Sequence, residues 1–269
     1  DRKEKVLHLA RDRYGIKPLY YAQWGDTFLF GSEQKAILEH PEAKRVIDKK
    51  ALLEYFTFQN IFTDRTLLQN IRMFPSATLG HISLGTKSKT LQLDHYWEYH
   101  FEEPKKPKDT REYEEELDHL LQQAVRRQLV TDVELGSYLS GGMDSGTLTA
   151  LASRELPHIK TFTCGFDLSS ASGMELGFDE RKKAEALSAR YQTEHYEMVL
   201  KAGDMERCLP KMAWHLEEPR VGQSYPNYYA AGLASKFVKV VLSGGGGDEL
   251  FGGYPWRYYR AVVNDDFEH

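Results

Sequence analysis

Leu139-Ser140-Gly141-Gly142-Met143-Asp144-Ser145-Gly146 is the stretch that decides the fold. An apolar run, Leu135 to Leu139, precedes it, and an apolar-periodic run with Leu148, Ala152 and Leu156 follows. That order predicts a Gly-rich turn between a strand and a helix. Backbone N–H groups in such a turn, backed by the positive end of the helix dipole, form an anion site. Gly141 and Gly142 let the chain approach a phosphate with no Cβ in the way. Ser140 and Ser145 add hydroxyl donors, and Asp144 is a hard oxygen ligand suited to Mg²⁺. The turn is not a Walker A loop, because no Gly-Lys-Ser/Thr ending is present.

Outward from this turn, strands and helices alternate. The strand candidates are Leu135–Leu139, Lys160–Phe166, His195–Val199 and Val238–Leu242. The helix candidates are Thr147–Glu155, Glu180–Tyr191, Met205–Leu216 and Pro226–Lys236, after one starting near Thr110 that carries Leu117, Leu120, Leu121, Ala124, Val125 and Leu129 at helical spacing. The alternation predicts an α/β class with a doubly wound, largely parallel sheet. Ligands of such sheets sit beyond the carboxyl ends of the strands. The last strand candidate runs directly into a second Gly-rich loop, Ser243-Gly244-Gly245-Gly246-Gly247-Asp248-Glu249-Leu250-Phe251-Gly252-Gly253-Tyr254. Two such loops facing each other would hold a triphosphate between them, with Asp144 and Asp248 both on Mg²⁺.

The front of the chain is β-rich. Val6 to Ala10 alternates weakly, Arg11 to Pro18 forms a turn, and Leu19–Gln23 with Thr27–Phe30 read as a hairpin around Gly25-Asp26. Ser32 is positioned to cap a short helix through Leu38. Ala77–Leu79 and His81–Leu84 are short strand candidates. Glu102-Glu103-Pro104-Lys105-Lys106-Pro107-Lys108-Asp109 is charged, holds two prolines and lacks apolar residues, so it reads as a solvated linker. The expected division is residues 1–103, a linker at 104–110, and 111–269.

A chain of 269 residues has room for about two domains. Its hydrophobic content of 41% and charged content of 28% are those of an ordinary globular protein. A net charge of −5 gives no electrostatic case for nucleic acid or an anionic membrane. No apolar run approaches the roughly 18 to 20 residues that span a bilayer. The charged start, Asp1 to Lys5, argues against a signal peptide. The two cysteines, Cys164 and Cys208, have no metal-ligand spacing, so zinc clusters and disulfide frameworks are not expected and a reducing cytoplasm is the natural compartment.

The pattern Ser-Gly-Gly-x-Asp-Ser resembles the pyrophosphate loop (PP-loop) of the ATP pyrophosphatases, whose domain is adenine nucleotide alpha hydrolase-like. Together, Leu139–Ser145 and Leu242–Tyr254 look like the synthetase domain of glutamine-dependent asparagine synthetases. Glu217-Glu218-Pro219, Phe178-Asp179-Glu180 and Thr193-Glu194-His195 sit where that family has similar residues. Arg11-Asp12-Arg13-Tyr14-Gly15-Ile16-Lys17-Pro18-Leu19-Tyr20 and Phe30-Gly31-Ser32-Glu33 look like the closing part of its class II glutaminase domain, an α+β sandwich. The resemblance implies an ATP- and Mg²⁺-dependent ligase. Aspartate, or another carboxylate, would be adenylated and then attacked by ammonia derived from glutamine. Ser140, Gly141, Gly142 and Ser145 would cradle the pyrophosphate. Leu139, Cys164, Ser243, Gly244 and Gly245 would line the nucleotide. Asp144 and Asp248 would bind Mg²⁺, and Asp248 and Glu249 would be the catalytic acids. The implied partners exclude nucleic acid and membrane, and the resemblance leaves a homodimer open as the assembly.

Three departures accompany the resemblance. Relatives carry Glu or Asp where this chain has Gly245, which makes aspartate less secure as the acceptor. The family's glutaminase uses an N-terminal cysteine, and this chain begins with Asp1. The family also continues well past Tyr254, with a lysine that stabilises the adenylation transition state. The chain therefore reads as a fragment that, as it stands, is not expected to hydrolyse glutamine. A ligase acting on a different carboxylate and a catalytically inactive nucleotide-binding homologue are the alternatives. His195 and Cys208 read as structural, Cys164 as a small strand residue that would meet a nucleotide only through its backbone, and the aromatic run Tyr254 to Arg260 as packing or an acceptor-pocket wall.

Overall fold

The computed structural model describes residues 1–85, 90–170, 177, 179–220 and 224–253. The expectations for Phe178 and for the aromatic run from Tyr254 fall outside these residues. The chain forms two compact units, the first from Asp1–Lys105 with Pro210–Gly222 and the second from Lys106–Leu209 with Gln223–His269.

In the first unit, β1 (Val6–Ala10), β2 (Tyr20–Trp24) and β3 (Thr27–Gly31) are followed by α1 (Gln34–Leu38), α2 (Lys49–Phe58), β4 (Ile71–Met73), β5 (Thr78–Ser83) and β6 (Gln92–His95). They make two antiparallel sheets, ordered β1-β5-β6 and β3-β2-β4. The hairpin pairs Tyr20 with Gly31 and Trp24 with Thr27. Tyr20, Ala22 and Trp24 alternate onto one face, where they meet Ile37, Leu38 and Ile71. Two strand candidates around Gly80 prove to be one strand. Gly80 keeps its pairing to both Leu9 and Leu93. Its bare side is filled by the buried Phe74 ring, 2.7 Å from where a Cβ would stand. Asp48 caps α2 through Oδ1, which accepts from the N–H groups of Lys50 and Ala51 at 2.9 and 3.2 Å.

The turn after β1 is held by two adjacent side chains. Arg11 is buried and donates to the carbonyls of Lys17, Phe74 and Gly15 at 3.0, 2.5 and 2.8 Å. Asp12 accepts from the N–H groups of Ile16 and Lys17, both at 2.9 Å. Partial burial disfavours the Asp12 charge, but these N–H donors outweigh it and hold the carboxyl below its usual range.

The cap expected from Ser32 is not formed. Glu33 is the N-cap of α1 and offers no side-chain bond. The carboxylate of Glu217 caps instead, accepting from the N–H of Gln34 at 2.6 Å and of Lys35 at 2.7 Å. A carboxylate with two oxygens satisfies two orphan donors and suits the positive helix end, which a single hydroxyl does not.

The second unit continues with α3 (Thr110–Gln128), β7 (Leu135–Tyr138), α4 (Met143–Glu155), β8 (Lys160–Phe166), α5 (Arg181–Tyr191), β9 (Glu194–Leu200), α6 (Asp204–Leu216, ending among first-unit residues), α7 (Ser224–Ala234), β10 (Val240–Leu242) and α8 (Gly247–Phe251). Its sheet is ordered β10-β7-β8-β9 and every pairing is parallel. One face carries Leu135, Ile159 and Leu242 against Val125 of α3 and Leu151 and Ala152 of α4. The other carries Tyr138, Phe162 and Val241 against Leu233 and Ala234 of α7. Consecutive residues of β10 thus point into different cores, as a sheet covered on both faces requires. Burying Phe162 completely stabilises this layer by about 2 kcal/mol. The doubly wound parallel sheet is as the sequence predicts.

The strand order positions the ligand-binding crevice. From β7 the chain winds through β8 to β9, then returns to pair β10 on the opposite side of β7. The winding direction therefore reverses between β7 and β10. The carboxyl ends of strands at such a switch leave a crevice open, and the two Gly-rich loops follow these two strands.

Candidate functional site

The first loop is tied to the sheet and to itself. Leu139 is buried and donates to the carbonyl of Phe162 at 3.0 Å, while its own carbonyl accepts from the Thr163 hydroxyl. The hydroxyls of Ser140 and Ser145 are 2.8 Å apart. Ser145 Oγ accepts from the N–H of Ser140 at 3.1 Å, and Ser140 Oγ accepts from the N–H of Gly142 at 3.1 Å. The helix starts at Met143 rather than the predicted Thr147, so Asp144 and Ser145 stand in its first turn. Gly142 caps it without a side-chain bond. The donors of this first turn are thus left to whatever occupies the crevice.

The second loop closes onto the first. The N–H of Asp248 donates to Asp144 Oδ2 at 3.1 Å. A Cβ on Gly244 would stand 2.8 Å from the Ser145 nitrogen, and one on Gly247 2.3 Å from Asp144 Cγ. Gly246 has φ +106°, in the left-handed region. These three positions require glycine. Gly245 differs: a Cβ there would meet only Ser243 Oγ, at 3.7 Å.

Between the loops lies a cavity of about 610 Å³. Of the residues predicted from sequence, Ser140, Gly142, Asp144, Ser145, Ser243, Gly244, Gly245, Asp248 and Glu249 line it. Leu139, Gly141 and Cys164 are not among its lining residues. Leu139 is buried, so any part it plays is support from beneath. Gly141 opens on a neighbouring depression with Gly146 and Leu187. Burial, aided by the charge of Asp204, pushes the Cys164 thiol up to about 12, so it is protonated and inert at neutral pH. Glu249 uses Oε2 to accept from the N–H of Gly246 at 3.0 Å, so this carboxylate also holds the loop.

Tyr138, Met143, Gly177, Glu180 and Asn227 line the cavity as well. Glu180 falls in the Asp179-Glu180 pair already singled out by resemblance. Asn227 lies in α7, among residues whose spacing reports packing, and no local pattern marks it. Asp179 instead binds Arg181, with Nε and one terminal nitrogen at 2.9 and 2.6 Å. That contact holds the Asp179 carboxyl below its usual range.

Among the described residues, the charged side chains lining the cavity are Asp144, Glu180, Asp248 and Glu249, all acidic. Among the described residues, no group of three or more His, Cys, Asp or Glu assembles as a metal cage. Mg²⁺ does not need one, since it is held by one or two carboxylates together with substrate phosphates and water. Two hard carboxylates, from Asp144 and Asp248, beside a cradle that excludes Cβ atoms at Gly244 and Gly247 fit that donor requirement.

A parallel doubly wound sheet with paired Gly-rich loops at its switch point defines an α/β unit built to receive a phosphorylated ligand. The asparagine synthase profile matches residues 116–269, more than half of the chain, and the chain belongs to that family. The glutamine amidotransferase domain profile matches residues 1–97. The chain is 33% identical over 259 residues to a Methanocaldococcus jannaschii protein provisionally named glutamine-hydrolyzing asparagine synthetase 2, covering 94% of this chain and 48% of that one. It is 33% identical over 271 residues to glutamine-hydrolyzing asparagine synthetase 1 of Bacillus subtilis, covering 98% of this chain and 40% of the relative. The chain thus spans half or less of the length of these curated relatives. An NH3-dependent NAD synthetase structure from Campylobacter jejuni aligns over 55% of this chain and 61% of its own, at 16% identity and a TM-score of 0.30, too low to establish a shared fold.

Proposed function

We propose that residues 111–269 form the ATP-binding part of an amide ligase of the asparagine synthetase type, joined through a linker at 104–110 to the end of a glutaminase-like domain at 1–103. The observation that carries this reading is the junction of the two loops, where the Asp248 N–H meets Asp144 Oδ2 beside glycines that admit no side chain. Ser140, Gly142, Ser145 and the first-turn N–H groups of α4 bind the β- and γ-phosphates. Ser243 and Gly244 line the nucleotide from the other side. Asp144 and Asp248 hold Mg²⁺, which supplies charge neutralisation to the phosphates when bound. The acceptor carboxylate, that of aspartate, attacks the α-phosphorus and pyrophosphate leaves; ammonia released from glutamine then attacks the acyl-adenylate and expels AMP. Such chemistry rests on positioning and electrostatic stabilisation rather than on a protein nucleophile, and the inert Cys164 thiol accords with this.

The second reading, a different carboxylate acceptor, is favoured by the open space at Gly245. Another carboxylate would then have to stand in for the acid absent at Gly245; Glu218 pairs with Arg220 at 2.8 Å and is not among the lining residues. Glu249 is, together with Glu180, and of the two it is Glu249 that adjoins Asp248 in the second loop.

The test is calorimetric titration of ATP with and without Mg²⁺. Asp144→Asn and Asp248→Asn are each expected to weaken Mg²⁺-dependent ATP binding by about tenfold or more, the scale of losing a charge-assisted ligand contact, with thermal unfolding little changed. Parental affinity in both variants would remove the placement.

A further inference from the structure

The cavity carries four carboxylates, Asp144, Glu180, Asp248 and Glu249, and no basic side chain among the described residues that line it. A polyphosphate entering such a site meets charge of its own sign, and one divalent ion does not offset both the ligand and the wall. The loop itself lacks the lysine that a Walker-type turn would carry. Among the described residues, neither the loop nor the cavity lining supplies a cation for the phosphates.

Lys183 supplies one. It sits in the first turn of α5 and lays its aliphatic stem along Gly141: a Cβ on that glycine would stand 2.5 Å from Lys183 Cδ and 2.6 Å from Lys183 Cβ. Glycine at 141 is thus needed to seat a lysine, not to make room for the phosphate. Beyond Cδ the side chain extends by Cε and Nζ, about 2.5 Å further. Its ammonium has no ion pair or hydrogen bond among the described residues, whereas Arg181, two residues earlier, is fixed by Asp179 and the carbonyl of Phe166. Ser140 and Gly142, the neighbours of Gly141, both line the cavity.

Resting on the nucleotide reading above, we propose that Lys183 is a polyphosphate-binding residue of this site: its stem is anchored on Gly141, and its ammonium swings by its last two bonds to the β- and γ-phosphate oxygens and to the departing pyrophosphate. The loop thereby takes its cation from the next helix instead of from its own sequence.

Lys183→Met keeps the stem over Gly141 and removes the charge, and Lys183→Arg restores a cation. The experiment measures binding of Mg·ATP, Mg·pyrophosphate and AMP to the full chain. Lys183→Met is expected to weaken ATP and pyrophosphate by roughly tenfold, as for loss of one charge-assisted contact, while AMP binding and the unfolding temperature stay at parental values and Lys183→Arg recovers most of the loss. Parental ATP and pyrophosphate affinity in Lys183→Met, or an equal loss for AMP, would overturn the role of Lys183 and leave the nucleotide site standing. A parent protein that binds neither ATP nor pyrophosphate would overturn both.

Discussion

Between Ser243 and Asp248 the sequence offers four consecutive glycines that look interchangeable. Their surroundings separate them. Gly244 abuts the backbone of Ser145, Gly247 abuts the Asp144 carboxylate, and Gly246 needs a positive φ. Gly246 also faces open space, but Gly245 alone combines that space with an ordinary backbone. Gly244→Glu is therefore expected to disrupt the packing of the two loops. Gly245→Glu should fold with a stability within about 0.5 kcal/mol of the parent, as surface substitutions do. If the open space serves a different or bulkier acceptor, Gly245→Glu in the full-length enzyme should also raise aspartate-dependent pyrophosphate release. Parallel thermal unfolding and pyrophosphate assays check both parts. Equal destabilisation by the two substitutions would show that Gly245 is constrained after all. An ordinary aspartate-dependent rate in the parent, lost in the variant, would show that glycine here is a tolerated difference. Most of the residues that line the cavity were legible at this scale because hydroxyls, acids and glycines are visible in order; which glycine is obligatory was not, since that depends on a loop about a hundred residues away.

Elements were legible where a pattern is long and local. β8 spans the predicted residues, and α5 and α6 start within one residue of prediction, because each has its period intact. β10 is shorter than expected, since the N–H of Val238 closes onto the carbonyl of Ala234 and so belongs to the turn after α7. α4 is longer at its start, because the Gly-rich turn has already entered the helix at Met143. The capping of α1 was not legible at all. A hydroxyl at Ser32 fits the local rule, but the carboxylate of Glu217, about 180 residues away, makes both bonds and also pairs with Lys35 at 3.3 Å. The consequence is measurable by urea unfolding of the first unit. Glu217→Ala should lower stability by about 1–2 kcal/mol, the range for losing a cap whose donors become partly buried and unpaired, whereas Ser32→Ala should cost less than about 0.5 kcal/mol. The reverse order would return the cap to Ser32.

At the scale of the molecule, the division of the chain follows contacts that no window of sequence contains. The charged stretch before α3 is exposed throughout, from Glu102 to Asp109. The first unit nevertheless recruits Pro210–Gly222, a segment that strand and helix periodicity had assigned to the second half. This sets a specific expectation for limited trypsin digestion. Lys106 precedes Pro107, a bond trypsin does not cut, and Lys108 is held to Glu116 by a 2.7 Å ion pair. Lys105 has neither protection, so the first cut should follow it. In a chain whose two units were consecutive, that cut would release them. Here the larger fragment keeps Pro210–Gly222, whose Glu217 caps α1 in the smaller one. The nicked protein should therefore elute as one species in native size-exclusion chromatography and resolve into two bands only under denaturing conditions. Native separation of residues 1–105 from the remainder would mean that the Glu217 contact is too weak to hold the first unit together, and the cap would then have to be credited with far less than the stability assigned to it above.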